Sequence, residues 1–84
     1  MEKLDGNAAA GMLQEIFPFE MTLVQTTCTG CGKSDAIGGL AVYAHGMGTI
    51  IRCPACDRAL IRLVHAKGNY WLDMRGVSVL RIAA

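Results

Sequence analysis

The chain has 84 residues, the size of one domain, and carries eight basic against seven acidic residues, a net charge of +1. That balance supplies no field to gather nucleic acid or anionic lipid. No run reaches the ~18 apolar residues of a membrane span, and the most apolar window, "AIGGLAVYA" at 36–44, is short and glycine-rich.

The unusual feature is 52% hydrophobic against 18% charged residues. A domain this small has too much surface for its volume to hide all of that apolar side chain, so a protein partner or self-association is expected. The opening "MEKLDGNAAAGM" holds two acids, one lysine and no long apolar run, which does not read as a secretory signal. A cytoplasmic location follows, where thiols stay reduced and cysteine pairs mean metal or catalysis more often than disulfides.

The predicted fold class is α+β: a short N-terminal helix, then an antiparallel sheet extended by two C-terminal strands. The helix is placed at residues 5 to 17, with Asp5 or Asn7 as its cap and Pro18 as its end. Met12, Leu13, Ile16 and Phe17 fall at helical spacing and make one apolar face. So short a helix is marginal alone, and its face must dock on its own domain or on a partner. Met12, Ile16 and Phe17 are therefore candidate partner contacts.

Beyond Pro18 come short β-like runs broken by glycine, the pattern of antiparallel hairpins. They are "MTLVQTT" (21–27), "LAVYAH" (40–45), "TIIR" (49–52), "ALIRLVHA" (59–66), "YWLDM" (70–74) and "VSVLRI" (77–82). The last two, joined by "RG", are predicted to form a C-terminal hairpin over residues 70 to 82. One face of "YWLDM" covers the core; Trp71 is expected to fill core, and on the exposed face it becomes a candidate anchor for a partner. "VSVLRI" either pairs within its own sheet or offers an edge to a second copy.

Four cysteines carry the chemistry. Cys28 and Cys31 in "CTGCGK", then twenty-one residues, then Cys53 and Cys56 in "RCPACDR" give the doubled C-x2-C spacing of a metal site. Each pair reads as a tight turn joining two strands, so two facing turns set four sulfurs at the corners of a tetrahedron, which one Zn2+ accepts. Gly32 after the first pair takes positive φ freely, and Asp57 in the matching place is among the few other residues that tolerate it. Four thiolates around a divalent ion leave a charge of about −2, which Lys33, Arg52 and Arg58 stand close enough to offset.

A redox dithiol needs one reactive pair near a βαβ unit, and no such unit is present. A catalytic zinc keeps an open position, whereas four cysteines close the shell, so no enzyme activity and no small-molecule substrate are expected. His45 and His65 read as strand residues rather than ligands. Nucleic-acid binding would use Arg52, Arg58, Arg62, Arg75 and Arg81, but lacks a basic stripe and would fail at physiological salt.

Iron is the alternative metal, because a four-thiolate site holds either. The "CTGCG" and "CPAC" turns resemble the paired knuckles of rubredoxins, which implies an iron electron carrier. Rubredoxins are acidic with an aromatic-rich core, whereas this chain is near neutral with one Trp, two Tyr and two Phe. The hairpin–knuckle order through residues 21 to 66 resembles a zinc ribbon. With the early "LDGNAAAG", the knuckles "CTGCG" and "CPACDRALIRLV" and the closing "YWLDMRGVSVL", most of the chain resembles a family of small bacterial zinc-ribbon proteins of unassigned function. That resemblance implies a genomic setting beside oxidoreductases. The expected function is thus a non-catalytic protein–protein module with one structural zinc, such as a small accessory subunit of an oxidoreductase complex.

Overall fold

The computed structural model describes residues 2–5, 10–45 and 48–83, with side chains over 11–44 and 48–83. Its elements are β1 (Glu2–Asp5), α1 (Ala10–Ile16), β2 (Gln25–Cys28), β3 (Ser34–Ala36), β4 (Ala41–His45), β5 (Gly48–Arg52), β6 (Ala59–Ala66), β7 (Asn69–Asp73) and β8 (Val77–Arg81), with single 3-10 turns at Met21–Leu23 and Ile37–Gly39. Among the described residues the protein is therefore mostly antiparallel β-structure with one short helix, an α+β fold.

Two sheets form instead of one. The larger has the order β1-β4-β5-β6-β7 and the smaller β3-β2-β8. Every pairing is antiparallel. β5–β6 and β6–β7 are hairpins between chain neighbours, whereas β8 crosses about fifty residues of sequence to reach β2. The radius of gyration, 11.8 Å, is that of one compact body of this length, about 12 Å.

Three expectations are corrected. The helix does not begin at residue 5, because Glu2–Asp5 pairs with β4 from Glu2↔Ala44 to Asp5↔Ala41. That pairing satisfies backbone groups that β4 would otherwise expose as a sheet edge. Asp5 thus belongs to a strand and not to the start of the helix, which begins at Ala10, and Asn7 lies outside the described residues. The 70–82 hairpin does not form either. At Gly76, where a Cβ would fall 2.6 Å from Leu60 Cα, the chain leaves β7, and β8 joins β2 in the other sheet. Finally, "MTL" forms a 3-10 turn, and strand β2 starts at Gln25.

The core lies between the sheets. Leu13 of α1, Met21, Val24, Ile37, Leu40, Val42, Ile51, Leu60, Ile61 and Leu63 are all buried, together with Cys28 and Cys53. Alternation places Thr26 and Cys28 inward from β2 and Thr49 and Ile51 inward from β5. Thr26, 1% exposed, donates its hydroxyl to Asp35 O at 2.9 Å, so its burial leaves no polar atom unpaired. Met12, Ile16 and Phe17 are half-buried against the same core, so the apolar helix face docks on its own domain. A second tie joins α1 to the sheet: the Tyr70 hydroxyl donates to the Glu15 carboxylate, while its ring stacks on His65 at 4.2 Å.

Candidate metal centre

Each cysteine pair closes the tip of a hairpin, β2–β3 for Cys28 and Cys31 and β5–β6 for Cys53 and Cys56. The two turns share one backbone plan. In the first, Cys28 N–H donates to Lys33 O at 2.9 Å and Gly32 N–H donates to Cys28 O at 3.0 Å. In the second, Cys53 N–H donates to Arg58 O at 2.9 Å and Asp57 N–H donates to Cys53 O at 2.8 Å. The fifth residue of each is left-handed, Gly32 at φ 76° and Asp57 at φ 64°, which turns the chain back toward its strand. A register shift falls beside the first cysteine of each pair, between Thr27 and Cys28 and between Ile51 and Arg52. Bulges of this kind re-aim side chains.

The two tips face each other. The four Sγ atoms all lie within 4.8 Å of one another, with Cys28–Cys56 at 3.5 Å and Cys31–Cys53 at 3.7 Å. A tetrahedral ion with metal–sulfur bonds of about 2.3 Å spaces its sulfurs about 3.8 Å apart. A disulfide requires about 2.05 Å, and all four thiols are free. The cluster thus has the dimensions of a four-sulfur metal cage. Cys28 and Cys53 are buried in the core, while Cys31 and Cys56 reach the surface.

The electrostatics of the thiols match such a cage. The backbone N–H of Cys31, with that of Gly30 (3.3 Å to Cys28 Sγ), outweighs burial and holds the Cys28 thiol down to about 7. Cys56 is pushed up to about 11: the Arg58 N–H pulls it down, but the facing Cys28 sulfur, burial and the other two thiols together win. Negative charge on one sulfur therefore opposes charge on the next. Only a cation at their centre lets all four ionise together.

The residues expected to offset that charge each make a defined contact beside the knuckles. Lys33 Nζ lies 3.8 Å from Asp35 Oδ2, two places along the chain. Arg52 Nη1 donates to Asp57 O at 2.9 Å and sits 5.9 Å from the Tyr43 ring centre, so it braces the left-handed residue. Arg58 crosses to the other knuckle. A Cβ on Gly30 would fall 2.5 Å from Arg58 Nε, so the absence of a side chain at 30 is what lets the guanidinium lie there. His65 stacks on Tyr70 and is outside the thiol cluster.

One residue had no more than a turn assigned to it by sequence. Gly76 accepts the Thr29 N–H at 2.9 Å while its Cα side rests against Ala59 and Leu60, the latter 2.6 Å from where a Cβ would stand. It thereby clasps the first knuckle to the flank of the second. The glycine of "RG" was the only sequence signal for it.

Trp71 is 63% exposed, against the expectation that it fills core. The opposite strand face, with Tyr70, is the one that meets α1. Leu72, Phe19, Leu23 and Val79 are also exposed.

Fold and site together define a small antiparallel two-sheet protein built around a cluster of four cysteines. The chain belongs to the family of unknown function DUF6510, whose match covers residues 1–84. No curated protein and no solved structure matches it.

Proposed function

We propose that Cys28, Cys31, Cys53 and Cys56 hold one structural Zn2+, that the two knuckles make a zinc ribbon, and that the domain is a non-catalytic protein–protein module of a reducing compartment. The observation that carries this is the set of four sulfurs within 4.8 Å on two matched turns. When bound, the ion supplies charge compensation and a cross-link between the two sheets. The chain's own residues supply the rest: Gly32 and Asp57 shape the turns, Arg52 braces the second, and Gly76 joins them. Four protein sulfurs leave no position for a reacting water, which supports a structural role over a hydrolytic one.

Trp71, 63% exposed on β7, supports the interaction role. A large exposed aromatic on a rigid strand is the residue type that anchors interfaces. A small subunit of an oxidoreductase complex is one assembly that such a module fits. The test is a pull-down from the native host with metal analysis of the recovered complex. The reading expects zinc, a stoichiometric partner, and loss of that partner but not of zinc in Trp71→Arg. A Trp71→Arg chain that recovers the same complex overturns the assigned surface.

Iron in the same cage is the second reading, favoured by the exposure of Cys31 and Cys56, which leaves two sulfurs open to an electron donor. An iron protein is red when oxidised and bleaches on reduction; a zinc protein is colourless.

A further inference from the structure

Beside the metal centre lies a cleft of about 260 Å³ lined by Arg58, Arg62, Arg75, Asp73 and the backbone around Ala59 and Gly76. We propose that it binds a phosphate group, with Arg58, Arg62 and Arg75 as its ligands.

The floor is rigid. Gly76 is buried, pressed on Ala59 and Leu60, and its carbonyl is tied to Thr29. The walls come from three segments that the fold brings together. Arg58 stands just after the second knuckle, Arg62 lies on β6 opposite Asp73 of β7 in register, and Arg75 is in the turn that leaves β7.

The charges do not cancel. Asp73 is occupied by Arg75, whose N–H donates to Oδ1 at 3.1 Å and whose Nε lies 3.3 Å from Oδ2. Among the described residues Arg58 and Arg62 have no carboxylate partner within salt-bridge distance. Three guanidinium groups against one carboxylate leave a local charge of +2, the complement of a phosphate dianion. Guanidinium forks also match phosphate geometry, donating in pairs to its oxygens. At about 260 Å³ the cleft has room for a phosphate group and for part of an organic molecule attached to it. The site needs neither net positive charge on the chain nor a particular metal at the knuckles.

The experiment is a titration of the metal-loaded, isotope-labelled full chain with inorganic phosphate. Ionic strength is held constant with chloride, and the backbone amide and arginine Nε–H signals are followed by NMR. The expected result is saturable shifts confined to Arg58, Arg62, Arg75 and Gly76. Arg62→Gln should weaken binding about tenfold or more, because a charge-assisted contact to the anion is lost. Asp73→Asn keeps the Oδ1 acceptor for the Arg75 N–H but removes the competing charge, and should tighten binding several-fold. A purely structural role for Asp73 predicts no such gain.

A second arm uses glycerol phosphate. Tighter binding than inorganic phosphate assigns the group to a larger organic molecule, and equal binding assigns free phosphate; both support the site. Shifts that fail to saturate, or that spread equally to Arg52 and Lys67, overturn it. So does saturation by a glutamate-rich peptide where phosphate gives none.

Discussion

The two knuckles trace the same path with different residues, and the difference shows what such a turn requires. Cys28–Lys33 and Cys53–Arg58 share two backbone hydrogen bonds of nearly equal length and a left-handed fifth residue. The first knuckle reaches that conformation with Gly32, for which it costs little. The second uses Asp57, for which it is strained, and adds the Arg52 bond to the Asp57 carbonyl. The first has Gly30, which admits Arg58 and points its N–H at Cys28 Sγ; the second has Pro54 and Ala55 in its loop. Geometry is therefore held in common by backbone and sulfur, and each knuckle reaches it by its own local means.

The comparison breaks most completely where the knuckles are alike. Serine at Cys28 or at Cys53 should abolish metal binding and unfold the chain in either case. Structural zinc contributes roughly 10–16 kcal/mol in model peptides, more than the ~3–5 kcal/mol that a core of this size supplies. Circular dichroism with metal analysis checks it; a folded, metal-free variant of either knuckle would remove the need for the ion.

Next in size is the clasp between the knuckles. Gly76→Ala sets a methyl against Ala59 O and within 2.6 Å of Leu60 Cα, both backbone atoms that cannot swing aside. A loss of about 1–3 kcal/mol should appear in urea unfolding of the metal-loaded protein, with faster hydrogen exchange at the Thr29 amide.

The fifth residues sharpen the contrast. Gly32→Ala should cost about 1–2 kcal/mol, because alanine resists the left-handed region. Asp57→Gly should stay within about 1 kcal/mol of the parent, since relief of strain offsets the added freedom of the unfolded chain. Equal losses from the two exchanges, again by urea unfolding, would mean that the knuckles do not differ as described. Arg52→Ala follows, with a loss of about 1 kcal/mol for one hydrogen bond in the parent and a smaller one in the Asp57→Gly background, where less strain needs bracing.

The smallest effect lies outside both knuckles. The Glu15 carboxylate bonded to Tyr70, with burial, raises the tyrosine above its usual 10. The folded state thus holds this proton more tightly than the unfolded one. The stability it contributes is complete below pH 10 and fades as pH rises from there toward the folded value. Tyr70→Phe should flatten that alkaline slope in thermal melts and leave metal content unchanged.

These contrasts explain what could be read from the chain. The knuckles were legible because their determinants are local. Cysteine spacing, a glycine at 32 and an aspartate at 57 all act within six residues, and the β5–β6 and β6–β7 hairpins join neighbouring strands. The errors arose where a distant partner decides. Asp5 reads as the start of a helix until β4 offers Glu2–Asp5 an edge. "YWLDMRGVSVL" resembles a hairpin, yet the space beside Ala59 and the free side of β2 separate its strands. The convergence of three arginines on one cleft depends on Gly76 folding against β6, which no spacing of residues 58, 62 and 75 discloses.

The most direct test of the central claim, that one ion on four sulfurs holds the two sheets together, is an anaerobic zinc titration of metal-free protein followed by far-ultraviolet circular dichroism. The account predicts a largely unfolded starting spectrum that gains its β-sheet signal linearly and stops at one zinc per chain. A spectrum already folded before zinc is added, or an end point other than one, would contradict it.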